Sequence, residues 1–226
     1  MPHRNVYEIT ALLHTMLRDE PMAVREAVAC EVDEYVDQIQ HQVTTRVPLP
    51  MVARIVHGAL DEIVHIGKVE RAEQAATITC TKGCNHCCHM VVAISKAEAE
   101  LLVHLAGVHS ITLDVARLRR QSTQTEDSWP LQPPQDRGCP FLARDGLCAV
   151  YEDRPLSCRK YFVVSEPDLC DAATHVGLEA LTWVDLHAEI LTTAAFTQGG
   201  CGFMPTMLLE VLEPLQSTKG DHHATL

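Results

Sequence analysis

The sequence predicts a mostly α protein in which flanking helices surround an irregular, cysteine-rich core with little strand. Three observations lead there. Apolar residues recur at helical spacing through the first third and again after residue 179. Only two short stretches, residues 90–94 and 161–165, carry any strand signal. Ten cysteines are present among 226 residues, and seven of them crowd into two short blocks.

The elements follow in order. Val6, Ile9, Leu13, Met16 and Leu17 form one apolar stripe, interrupted near Pro21. Val24, Val28, Val32, Tyr35 and Ile39 mark a second helix, on which Cys30 is expected as a small buried residue. Pro48 and Pro50 punctuate, and Val52, Ile55, Val56, Ala59, Leu60, Ile63 and Val64 resume the helical period. His41, His57 and His65 on or beside these helices are expected to pack or face solvent. Ser95 with Glu98 forms a capping box ahead of Ala99, Leu101, Leu102 and Leu105, so a helix should begin there. Leu113, Val115, Ala116 and Leu118 suggest a short helix. Residues 121–138, rich in Gln, Pro, Ser, Thr and Asp, suggest a loop. Residues 179–196 and 206–215 are again helix-like. No repeat of solenoid length is present. The expected organisation is an N-terminal helical region (1–75), a cysteine-cluster domain (76–200) and a C-terminal helix and tail (201–226).

Composition narrows the function classes. With 46% apolar and 21% charged residues the chain is ordinary globular protein. A net charge of −12 disfavours nucleic acid and anionic membrane as partners. Two Trp, four Tyr and four Phe are too few for base-stacking platforms. No apolar run reaches the roughly 18 residues of a membrane span. The opening residues lack the apolar stretch of a secretory signal, so a cytoplasmic location is expected. In that reducing compartment clustered cysteines bind metal or do redox chemistry, rather than forming a disulfide scaffold.

The first block is Cys80-Thr-Lys-Gly-Cys84-Asn-His-Cys87-Cys88-His89. The second holds Cys139-Pro-Phe-Leu, Cys148 and Cys158-Arg. Spacings of two to four residues let a tight turn present several thiolates to one metal centre. Gly83 and Gly138 are expected to supply the backbone freedom such turns need. Lys82, Arg137, Arg144, Arg154, Arg159 and Lys160 make this region net positive inside an acidic chain, which offsets thiolate charge. The loop-like segment between the blocks suggests that they meet in space around one centre.

This combination of C-x3-C-x2-C-C with C-P-F-L, C-x2-Y-x2-R-P and C-R resembles the YkgJ-type cysteine-cluster family of zinc- or iron-chelating domains. Cys80, Cys84, Cys87, Cys88, Cys139, Cys148 and Cys158 each match a motif position, as do Pro140, Phe141, Leu142, Tyr151, Arg154, Pro155 and Arg159. The resemblance covers residues 78–165 and implies metal binding by cysteines. A flagellin lysine methylase with an iron–sulfur cluster looks like a relative, which makes an enzyme on this scaffold plausible.

Four thiolates saturate one zinc ion or one [4Fe–4S] cluster, so seven exceed a single simple site. Adjacent Cys87 and Cys88 are awkward co-ligands of one ion because neighbouring side chains diverge. Cys170 and Cys201 are further candidates, Cys201 in a flexible Gly-Gly-Cys-Gly turn. His86 and His89 are expected at the surface or hydrogen-bonded beside the ligands. The thiolate surplus favours an iron–sulfur (4Fe–4S) or iron centre, with catalysis left open. Zinc in a structural or interaction module is the alternative, although only Cys84 and Cys87 have the C-x2-C spacing usual for zinc. A radical S-adenosylmethionine enzyme fits poorly, because no alternating β–α pattern surrounds the motif. No catalytic residue, phosphate loop or dinucleotide fingerprint is evident.

Overall fold

A computed structural model describes residues 11–170, 177–181 and 185–220. Its elements are α1 (Ala11–Met16), α2 (Met22–Thr44), α3 (Leu49–Glu70), α4 (Ala72–Ala75), β1 (Ala93–Ser95), α5 (Lys96–Val108) and α6 (Val115–Ser122). Then come α7 (Pro134–Arg137), α8 (Leu156–Arg159), α9 (Asp185–Thr197), β2 (Cys201–Phe203) and α10 (Met204–Gly220). The protein is mostly α, as expected. Val6 and Ile9 of the first expected stripe lie outside the described residues.

The prolines do what the sequence suggested. Pro21 and Pro48 occupy the extended positions that open α2 and α3, and Pro50 sits in the first turn of α3. Its missing N–H costs nothing there. The buried face of α2 is Val28, Val32, Val36 and Ile39, while Val24 is exposed. Cys30 is exposed too, contrary to expectation. It lies two residues from both Val28 and Val32, and at about 100° per residue that is the opposite side of the helix.

Two apolar clusters form the interior. The first packs Leu13, Leu17 and the inner faces of α2 and α3 against Ile190, Leu191 and Ala194 of α9. The second joins Leu101, Leu102 and Leu105 of α5 to Leu118 of α6 and to Met207 and Leu208 of α10. It also takes in Phe141 and Val150 from the second cysteine block. Each fully buried leucine contributes about 2 kcal/mol relative to exposure.

The strand expectations need correction. Only the end of 90–94 enters β1, whose antiparallel partner is β2, a segment with no strand signal. Residues 179–181 are not helical. Val164 N–H donates to the Glu179 carbonyl (3.0 Å) and Leu181 N–H to the Phe162 carbonyl (3.0 Å). That pairing with 162–164 consumes the backbone groups a helix would need. Residues 121–138 are more ordered than a loop: α6 runs to Ser122, Trp129–Leu131 forms a 3-10 turn, and α7 follows.

Glu98 joins the two clusters. The capping box is present: Ser95 N–H and hydroxyl donate to Glu98 Oε2 (2.8 and 2.9 Å), and Glu98 N–H donates to Ser95 Oγ (3.3 Å). Its other oxygen accepts the Leu156 N–H (2.7 Å) and faces His57 Nε2 of α3 (3.2 Å). The carboxyl is 1% exposed. Burial pushes its pKa up, but the His57 contact and the Ser95 and Leu156 amides outweigh burial and hold it below the usual carboxylate range.

Replacing Glu98 by Ala strands these donors in the interior and should cost about 3–5 kcal/mol in urea unfolding. Because the folded pKa is depressed, the carboxylate's contribution is complete above about pH 4.3 and is lost as pH falls through the folded value. The gap between wild type and Glu98→Ala should therefore narrow in acid; a gap that stays constant to pH 3 would contradict the assignment.

Candidate metal centre

The first block is positioned by the strap that follows α8. Thr79 N–H donates to the Val163 carbonyl (3.0 Å) and its hydroxyl to the Ser165 carbonyl (2.6 Å). In return Val163 N–H donates to Cys80 Sγ (3.3 Å). Gly83, at φ +98°, closes the turn in which Cys84 N–H reaches the Thr81 carbonyl (3.0 Å). His86–His89 is a single 3-10 turn carrying Cys87 and Cys88.

The second block meets the first through the main chain: Cys139 N–H donates to the Cys88 carbonyl at 2.7 Å. Gly138 has φ −59°, so the expected conformational freedom is not used. Its smallness is: an added Cβ would lie 2.8 Å from Arg117 Nη2. A hairpin follows, with Ala143 N–H to the Leu147 carbonyl and Ala149 N–H to the Phe141 carbonyl (both 2.9 Å). Phe141 N–H donates to Cys139 Sγ (3.5 Å), and the Val150 amide donates to the Cys148 sulfur. The Leu156 N–H held by Glu98 begins α8, which carries Cys158. Beyond it, the turn Pro167–Cys170 packs on the His86–His89 turn and brings in Cys170.

One cavity of about 130 Å³ results. Cys80, Cys84, Cys87, Cys88, Cys139, Cys148 and Cys158 all line it, and so does Cys170. Adjacent Cys87 and Cys88 both face it because a 3-10 turn, unlike a strand, does not send neighbours to opposite sides; their side chains touch. Val92, Phe141, Val150, Phe162 and Met204 complete an apolar wall. Tyr161 also lines it, with its hydroxyl beside the Cys170 thiol. Among the described residues, no three His, Cys, Asp or Glu side chains are gathered tightly enough to hold a single ion as they stand. The sulfurs form the wall of a chamber.

Burial pushes the Cys139 thiol up to about 12 and Cys170 to about 11, and raises Cys158 well above the ordinary thiol value. Cys87 is raised first by its hydrogen bond with Cys88 and then by burial. Cations oppose this: Lys68 beside Cys80, Arg154 beside Cys87 and Cys148, and Arg117 beside Cys139 each favour the thiolate. Arg154 is fixed over the Tyr151 ring (4.3 Å) and by its bond to the Tyr151 carbonyl (2.9 Å). Arg159 is buried and spans Asp61 Oδ2 (2.6 Å), the Arg154 carbonyl (2.7 Å) and the Glu152 carbonyl, holding the loop ahead of Cys158.

One candidate ligand, Cys201, falls away from the chamber. Cys201 is exposed on β2, where Gly199 and Gly200 make the turn and Cys201 itself is strand. His86 and His89 do not line the cavity; the His89 carbonyl takes the Trp129 indole N–H (2.7 Å). Sequence reasoning had no firm place for Cys170, which stands alone in the chain, or for Lys68 on α3, which only the fold brings near Cys80.

Residues 79–183 match a family profile, CxxCxxCC, described as "Putative zinc- or iron-chelating domain". The name fits a chamber walled by cysteines, though here three residues separate Cys80 from Cys84. No curated protein and no solved structure matches the chain. Among the described residues no helix is long and apolar enough to cross a membrane.

The raised thiols set a pH test on metal-free protein. Thiols that keep their protons when folded, but ionise near pH 8.5 when unfolded, stabilise the fold fully below that value. That stability is lost as pH rises through the folded values. Thermal melts of apo protein should fall steadily from pH 8.5 to 10.5, whereas metal-loaded protein, whose thiols are already deprotonated, should not follow.

Proposed function

We propose that the CxxCxxCC domain, with Cys170, holds an iron–sulfur or iron centre ligated by thiolates. The observation that carries this is the thiol-walled cavity. Its 130 Å³ is room for roughly four waters, more than one tetrahedral ion needs. Backbone amides of Val163, Phe141 and Val150 already point at three sulfurs, and such bonds stabilise thiolate and tune thiolate-ligated iron. Soft sulfur donors in this number suit iron–sulfur chemistry.

The chain's own residues have clear parts. Arg154, Lys68 and Arg117 offset the negative charge that several thiolates accumulate. The apolar wall of Val92, Phe141, Phe162 and Met204 limits water around the sulfurs. When bound, an iron–sulfur centre supplies one-electron chemistry or an open coordination position, and an enzyme built on this domain would act there. All ten cysteines are free thiols, which suits a reducing, cytoplasmic setting.

Protein purified without oxygen should be brown, with thiolate-to-iron charge-transfer absorption and both iron and acid-labile sulfide on analysis. Colourless protein with stoichiometric zinc would instead establish a zinc-binding structural module. Chelation should raise hydrogen exchange across residues 78–165 while α2 and α3, which carry their own apolar faces, stay protected.

A further inference from the structure

We propose that the chamber is divided into two four-sulfur sites, with Cys80, Cys84 and Cys170 on one side, Cys139, Cys148 and Cys158 on the other, and Cys87 and Cys88 supplying the fourth ligand of each. The inference rests on the reading that these cysteines ligate metal, and not on which metal it is.

The division follows the scaffolding. One set hangs on the strap: Cys80 is fixed by the Val163 amide, the Thr79 bonds tie its loop to 163–165, and Cys170 ends the same strap. Cys84 shares the loop of Cys80 through the Gly83 turn. The other set hangs on the hairpin and α8: Cys139 and Cys148 occupy its two arms, and Cys158 is placed by the Glu98-anchored turn. The 3-10 turn His86–His89 lies between, packed on the Pro167–Cys170 turn and bonded through the Cys88 carbonyl to Cys139. Nearest-neighbour influences agree. Cys170 feels Cys87, Cys80 and Cys84, whereas Cys158 feels Cys139, Cys87 and Cys148. Cys87 is the member common to both.

Counting then decides. Each wall offers three sulfurs, one short of the four that saturate a tetrahedral zinc or iron ion or a [4Fe–4S] cluster. An adjacent pair at the boundary supplies one to each side, which resolves why two neighbouring cysteines are useful where one ion could not use both. Metal entry would draw each wall's sulfurs inward, since none of the trios is closed as it stands.

Metal-free full-length protein titrated with cobalt(II) under anaerobic conditions provides the test. Thiolate-to-cobalt absorption should grow to two equivalents, and the double variant Cys80→Ser/Cys170→Ser and the double variant Cys139→Ser/Cys148→Ser should each lose half of that capacity. Saturation of wild type at one equivalent would overturn the proposal, as would complete loss of binding in either double variant with helicity retained. If a variant does not fold, the wild-type titration alone decides. Two equivalents in protein whose native metal proves to be zinc would overturn the iron–sulfur reading and leave the division standing.

Discussion

The buried carboxylate of Glu98 is the interaction on which the site depends. It caps α5, accepts the first amide of α8 and faces His57 of α3, so one side chain fixes three helices at the junction of the two apolar clusters. Because α8 carries Cys158, the capping box of an ordinary helix also sets the position of a chamber thiol. The cost of burying a charge is met by satisfying both its oxygens with hydrogen bonds, which is the condition under which a buried carboxylate is tolerated.

Around that anchor, backbone bonds position the cysteine loops, and Cys87 and Cys88 also contact each other. The Cys139-to-Cys88 main-chain bond brings the blocks together before any metal is considered, and the turn at Gly83 and the hairpin at Gly146 aim the thiols inward. Crowding thiols in an apolar wall favours their protonated form, while Lys68, Arg154 and Arg117 lean the other way. Without metal, burial therefore biases several of the chamber thiols towards their protonated form. A metal bound by thiolates of both blocks would have to displace those protons, and would return binding energy plus closure of the long loop between Cys88 and Cys139, on the order of 4 kcal/mol by an entropic estimate.

The sequence made the helices and the seven cysteines legible because both are local signals: apolar spacing, proline breaks, Ser95 with Glu98, and thiols a few residues apart. It was misleading where partners are distant. Residues 179–181 lost their helix to pairing with 162–164, and β2 exists only because β1 lies beside it. Cys30 looked apolar by residue type, yet it faces solvent because helical phase, not composition, decides the side. Cys201 looked like a ligand in a turn and became exposed strand, whereas isolated Cys170 joined the chamber through the packing of two 3-10 turns.

The central claim is that sulfur alone surrounds the metal. X-ray absorption fine structure at the edge of the native metal measures this directly in anaerobically purified protein. The account predicts a first shell of sulfur only, near 2.3 Å. A shell containing nitrogen at about 2.0–2.1 Å would contradict it, because that distance requires a histidine such as His86 or His89, neither of which lines the chamber.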